Sequence, residues 1–143
     1  MKGKKLEKEV KVYLKQNSDW FHQFTDSYMS RGMAQPVPSD FIIFPEKGPC
    51  IMLECKESQS ERLPLSAFRP IQYVSMRESL KTEQCNYYVL IKYDNNYYLI
   101  GADTILTYLE ADEKSIHLED GYLAIEGINN AMDTLMLDNR GEL

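Results

Sequence analysis

Over residues 6–15, apolar side chains recur at three- to four-residue steps: Leu6, Val10, and Tyr13 or Leu14, with lysines filling the other side. That period predicts an amphipathic helix. Glu7 lies at the border of the stripe, where it can face inward or pair with Lys11 one turn on. Asn17-Ser18-Asp19 ends the helix. Residues 20–28 are aromatic-rich and loosely alternating, which predicts a strand, and residues 30–38 read as loop. Two apolar runs, 41–44 and 50–56, flank a turn containing Pro45, Gly48 and Pro49, and predict a pair of strands. After the polar stretch 57–62, Ser66 reads as the N-cap of a helix to about residue 81, with Pro70 in its first turn. Phe68, Ile71 and Val74 or Ser75 are its expected buried stripe, with Gln72 and Met76 one row over. The strongest strand pattern is 87–93, which returns as 97–100 after the turn residues Asp94-Asn95-Asn96. A short helix capped by Asp103, a small second hairpin over 116–125 and a helix from 128 to 137 complete the expectation.

Side chains two apart on a strand share a face, about 6.5 to 7 Å apart. Met52, Glu54 and Lys56 therefore project together, and Asp40, Ile42 and Phe44 share one face of the neighbouring strand. Pairing the two strands can bring Asp40 beside Glu54 and Lys56. Two carboxylates and an ammonium at one strand end make a site for a hard cation with an adjacent proton handler. The plainer alternative is an ion pair, Glu54 with Lys56, closing the end of a core hairpin. His22, beside Trp20 and Phe24, is more naturally a packed or surface residue than a metal ligand.

Charge changes the picture more than composition does. The 143 residues carry a formal net charge of -6, which by itself argues against a polyanionic partner. Residues 1–15, however, hold six lysines against Glu7 and Glu9, a local net of +4. Residues 102–143 hold ten acids against Lys114 and Arg140, a local net of -8. A chain with one basic and one acidic end can bind nucleic acid on one face. No apolar run approaches the roughly 20 residues of a membrane span, and no apolar signal core follows the basic start, so a cytoplasmic setting is expected. The three cysteines (Cys50, Cys55, Cys85) form no metal-binding spacing and read as small apolar residues in a reduced compartment. No repeat or linker divides the chain, so a single domain over 1–143 is expected.

The order of these stations resembles the PD-(D/E)xK nuclease superfamily, and within it the RecU-type Holliday-junction resolvases of Gram-positive bacteria and their phages. Gly3-Lys4-Lys5-Leu6-Glu7-Lys8-Glu9-Val10 is similar to that family's Gly-x-x-Leu-Glu-x-x-Leu opening helix. Pro38-Ser39-Asp40-Phe41 is similar to its Thr/Ser-Asp-Tyr strand start, and Leu53-Glu54-Cys55-Lys56-Glu57-Ser58 to its Phe-Glu-Ala-Lys-Glu-Thr. Leu63-Pro64-Leu65, the helix with Gln72 and the strand 88–93 follow at the expected intervals, so the likeness covers residues 3–100. Residues 101–143 then read as an acidic C-terminal elaboration.

The resemblance implies an α/β, restriction-endonuclease-like core: a central mixed sheet of four or five strands flanked by helices, with the site at one sheet edge. It implies that Glu7, Asp40 and Glu54 hold Mg²⁺, with Mn²⁺ a possible substitute, that Lys56 positions or activates the attacking water, and that Gln72 supports the site. Lys4, Lys5, Lys8, Arg31, Arg62 and Arg69 are the expected DNA contacts. The implied activity is metal-dependent endonucleolytic cleavage of branched DNA, by a homodimer whose two-fold axis relates two symmetric cuts. The dimer contact is expected near 87–100 or in the acidic C-terminal segment. Three departures stand out. Only residues 17–37 fill the interval where the family carries its long stalk, the basic N-terminal tail is nearly absent, and Ile71 stands where a histidine precedes the helix glutamine. These fit a phage or prophage version with a short or missing stalk. They also keep open a phage nuclease without junction preference, and a non-catalytic DNA-binding module of the same fold.

Overall fold

In a computed structural model of the chain, residues 4–24, 37–121 and 124–143 are described. The elements run α1 (Lys4–Gln16), β1 (Trp20–Gln23), β2 (Phe41–Phe44), β3 (Cys50–Glu57), β4 (Arg62–Pro64), a 3₁₀ turn (Leu65–Ala67) and α2 (Pro70–Ser79). There follow β5 (Cys85–Tyr93), β6 (Asn96–Gly101), α3 (Ala102–Glu110), β7 (Ser115–His117), a second 3₁₀ turn (Leu118–Asp120), β8 (Ile125–Glu126) and α4 (Ile128–Asn139).

The main sheet is mixed, with strand order β1-β2-β3-β5-β6-β8. Among the described residues, β3 with β5 is its one parallel pair; every other neighbour is antiparallel. Six strands stand where four or five were expected, because β8 adds to β6 through Asn96↔Glu126 and Tyr97↔Ile125. The β5–β6 hairpin turns through Asp94 and Asn95, whose positive φ angles of 51° and 64° suit the turn chemistry read from the sequence.

Each face of the sheet carries its own core. Phe41 and Ile43 of β2 and Ile51, Leu53 and Cys55 of β3 point to one face, where Leu6, Val10 and Leu14 of α1 and Ala131, Met132 and Leu135 of α4 cover them. Val89 and Ile91 of β5 point to the other, under Met76 of α2 and Ile105 of α3, and Met52 lies against this second cluster. The period-2 alternation of a strand thus assigns residues 40–56 to faces as the sequence predicts. Cys55 is a core residue, while Cys50 and Cys85 face each other across β3 and β5 and are half-buried.

Four local expectations are corrected. The helix begins at Pro70, not Ser66, because residues 65–67 form a 3₁₀ turn and Phe68 returns to an extended backbone (φ -101°, ψ 142°). Its buried row is Gln72, Met76 and Ser79, and Val74 is exposed. A polar residue leads the buried row because Gln72 finds a buried hydrogen-bond partner on β3. Among the described residues the second hairpin is replaced by other pairings: Ser115–His117 pairs with β4 (Leu63↔Ile116), and β8 joins the main sheet. The third helix is capped by Gly101, with Asp103 in its first turn. Among the described residues, no helix is long and apolar enough to cross a membrane.

Candidate active site

The β2–β3 register pairs Phe41 with Leu53, so one step further places Asp40 opposite Glu54. Asp40 grips β3 on both sides of that residue. Its backbone N–H donates to the Leu53 carbonyl at 3.1 Å, and its carboxylate Oδ2 accepts from the Cys55 N–H at 2.7 Å. Two bonds to residues 53 and 55 leave the Asp40 side chain little freedom to turn away from Glu54.

Glu54 is 3 % exposed, and its Oε2 is fully engaged. The Gln72 amide donates to it at 2.9 Å, and the Lys56 ammonium lies 3.1 Å away. Gln72 is fixed from its other end, since its Oε1 accepts the Arg69 backbone N–H at 2.9 Å at the start of α2. Gln72 thus ties the first turn of α2 to the Glu54 carboxylate. Glu54 Oε1, by contrast, is buried and has no hydrogen-bond partner among the described residues.

The electrostatics follow from that crowding. Burial first, and the Glu54 charge second, push the Asp40 carboxyl up to about 7, against the Cys55 N–H and Lys56, which favour its ionised form. Burial also raises Glu54, with Lys56, Gln72 and Arg69 opposing. Two buried carboxyls that resist losing their protons, one with an orphaned oxygen, fit the inner donor set of a hard divalent cation. Mg²⁺ takes one or two carboxylates and keeps waters for its other positions.

Other expected residues are placed as follows. Glu7, on the first turn of α1, accepts from Gln23 Nε2 at 3.3 Å, and its charge is felt at the Cys55 thiol. It does not close a three-ligand cluster: among the described residues, no three His, Cys, Asp or Glu side chains converge as a metal cage. Lys4, Lys5 and Lys8 are exposed on the same helix. Arg69 is at the start of α2, close enough to act on Glu54. Arg62 is exposed on β4, where its Nη1 donates to Ser115 Oγ at 3.4 Å. Arg31 lies outside the described residues.

Sequence reasoning missed two neighbours. Tyr87 is paired with Met52 in the β3–β5 register, on the Glu54 face, and its hydroxyl donates to the Pro38 carbonyl just ahead of Asp40. Burial and the Glu54 and Asp40 charges hold that hydroxyl firmly protonated. The second neighbour is the turn before α2. Ala67 offers its carbonyl to Lys56 Nζ at 2.7 Å, and the Phe68 ring centroid lies 5.2 Å from the same nitrogen. Register could have flagged Tyr87; a backbone carbonyl has no sequence signature.

No family model matches the sequence, and no curated protein matches it. The fold superposes on a solved structure of Archaeoglobus fulgidus Hjc, a Holliday junction resolvase from an archaeal hyperthermophile, with a TM-score of 0.57. The two share 13 % identity over 90 % of this chain and 98 % of that one, a likeness of architecture rather than of sequence. With its mixed six-stranded sheet and helices on both faces, the chain has a restriction-endonuclease-like fold.

Proposed function

We propose that this chain is a divalent-metal-dependent endonuclease that cuts branched DNA, four-way junctions above all, as a homodimer in the cytoplasm of a bacterial or phage-infected cell. The observation that carries the reading is the carboxylate pair, with Asp40 clasped onto β3 so that it faces Glu54 beside the Lys56 ammonium. The fold shared with an archaeal Holliday junction resolvase supports it.

Asp40 and Glu54 would hold the ion, Mg²⁺ being the expected one and Mn²⁺ a substitute. Glu7, on the first turn of α1, is the third carboxylate proposed to hold it. When bound, such an ion polarises a phosphoryl oxygen and lowers the pKa of a coordinated water. The chain's own residues do the rest. Gln72 restrains Glu54, so that Oε2 stays on Lys56 and Oε1 is left without a hydrogen-bond partner among the described residues. Lys56 orients the attacking water and offsets charge that grows on the phosphoryl oxygens as phosphorus takes on a fifth oxygen. Lys4, Lys5, Lys8, Arg62, Arg69 and Arg31 are the proposed phosphate contacts, which position the strand and carry no sequence information. A two-fold dimer gives two such sites for paired nicks.

The short interval between α1 and β2 favours one alternative, a nuclease without junction preference, since no long stalk is available to enter a junction's centre. Cleavage of a labelled mobile four-way junction, compared with linear duplex of equal sequence, decides between them. The wild type with Mg²⁺ should make paired symmetric nicks, while Asp40→Asn and Lys56→Ala bind without cutting. Equal cleavage of linear duplex would remove the junction preference and keep the site. A chain that cuts neither substrate with Mg²⁺ or Mn²⁺ would be a binding module.

A further inference from the structure

We infer that the turn Ala67-Phe68 is a clamp that sets the position of Lys56, with Phe68 as a positioning residue for the lysine of the proposed nuclease site. The inference rests on that reading for its consequence, and on geometry alone for its existence.

A lysine side chain is a flexible four-carbon stem, and an ion pair with Glu54 by itself leaves the ammonium free to swing around the carboxylate. Here it is held on three sides, by β3 and by the turn. Glu54 Oε2 on β3 lies at 3.1 Å and the Ala67 carbonyl, from the 3₁₀ turn, at 2.7 Å. The face of Phe68, with its centroid at 5.2 Å, closes a third side within cation–π range. An ammonium has three N–H donors. Two point to oxygens of the protein, which leaves one for a water or a phosphoryl oxygen.

The clamp is itself braced. Phe68 is buried, and its ring meets Tyr73 at 58° with centroids 5.8 Å apart. The Tyr73 hydroxyl donates to the Leu65 carbonyl at the start of the turn. Leu65 N–H donates to the Lys114 carbonyl at 2.9 Å, and Leu118 N–H to the Glu61 carbonyl at 3.0 Å. The strand leading into the turn is therefore tied at both ends to the segment around β7. The position of Lys56 thus depends on residues from the C-terminal third of the chain.

Phe68 also belongs to the second apolar core, so stability alone cannot test its role. Phe68→Leu keeps apolar bulk and loses the π face; Phe68→Tyr keeps the face. Two readouts are needed on the full-length protein: the proton shifts of the Lys56 ε-methylene without DNA, and kcat and KM on the four-way junction with Mg²⁺. In the wild type those protons should be moved upfield by the ring, an effect lost in Phe68→Leu and kept in Phe68→Tyr. In parallel, kcat should fall about five- to tenfold in Phe68→Leu with KM unchanged, and recover in Phe68→Tyr. If Phe68→Leu lowers the melting temperature but leaves the Lys56 shifts and kcat as in wild type, the ring is only core and the inference is overturned. If the ring shift is present but the wild type cuts no DNA, the clamp stands and the nuclease reading fails.

Discussion

Asp40 is where burial, charge and folding meet in one side chain. Its carboxyl stands at about 7 in the folded chain, raised by desolvation and by Glu54, against an ordinary 3.8. Because the folded state binds this proton more tightly than the unfolded state does, the group contributes stability below about pH 4. That contribution is lost as pH rises through about 7. At 1.36 kcal/mol per unit, the loss is on the order of 4 kcal/mol at most. The expected outcome is a metal-free melting temperature that falls between pH 4 and 7.5, a fall that Asp40→Asn largely removes. Mg²⁺ should flatten the same profile in the wild type by taking the place of the proton. A profile unchanged by Asp40→Asn would mean that the carboxyl is more solvated than the geometry indicates. The Asp40–Glu54–Lys56 constellation was legible in the sequence because its members lie on two consecutive strands, where alternation and a short turn fix the facing. Gln72 was legible only through a family likeness, since its chemistry appears once α2 is docked on β3.

At the scale of elements, what the sequence told depended on how local each pairing is. The face of α1, the β2–β3 pair and the β5–β6 hairpin were readable because periodicity and turn residues specify them within about fifteen positions. The extended segments near 116 and 125 were readable but their partners were not, because β7 pairs with residues 62–64 and β8 with 96–97, and nothing in a three- or two-residue strand names a distant edge. The start of α2 was misplaced for a different reason. Ser66 is a good cap in isolation, but Pro70 suits the first helical position and Phe68 has to enter the core in an extended backbone. At the end of the sheet away from Asp40, Asn139 of α4 acts as a latch. Its Nδ2 donates to the Pro49 carbonyl and its Oδ1 accepts from Asn86, both at 2.8 Å, and the residue is 5 % exposed. Asn139→Ala leaves a carbonyl and an amide without partners, and chemical denaturation should show a loss of about 1–3 kcal/mol. Cleavage should be unaffected, because the latch holds the residue before β3 while Glu54 lies five residues further along the chain.

Over the whole molecule, the acidic C-terminal third changes meaning once its packing is known. Its sequence reads as an elaboration, yet α4 supplies Ala131, Met132, Leu135 and Met136 to the core beneath α1, and β8 extends the sheet. Deleting residues 102–143 should therefore abolish cooperative unfolding, so it cannot report on charge. Two of its acids are also occupied by tyrosines: Asp133 accepts from Tyr13 at 2.7 Å and Asp138 from Tyr88 at 2.6 Å. Under the nuclease reading, neutralising the exposed acids Glu110, Asp112 and Glu113 should change DNA affinity less than about twofold at 0.15 M salt, where screening acts over about 8 Å. Neutralising Lys4, Lys5 and Lys8 should weaken binding and lower the salt slope by about one for each phosphate that is no longer neutralised. A binding titration across salt concentrations checks both, and a large gain from the acidic substitutions would place the C-terminal segment against DNA.

Trp20 sits on the edge strand β1, 73 % exposed, with its ring tilted at 35° to that of Phe44 and the centroids 4.7 Å apart, and it is the single tryptophan of the chain. Excited on the red edge, where its ten tyrosines do not absorb, the fluorescence of this protein is therefore the signal of one indole at one sheet edge. Its emission should lie at the long-wavelength limit typical of water-bathed indole and be readily quenched by iodide. A blue shift on raising protein concentration would report self-association over β1, and one that appears only with DNA would report the nucleic acid there, each without a label.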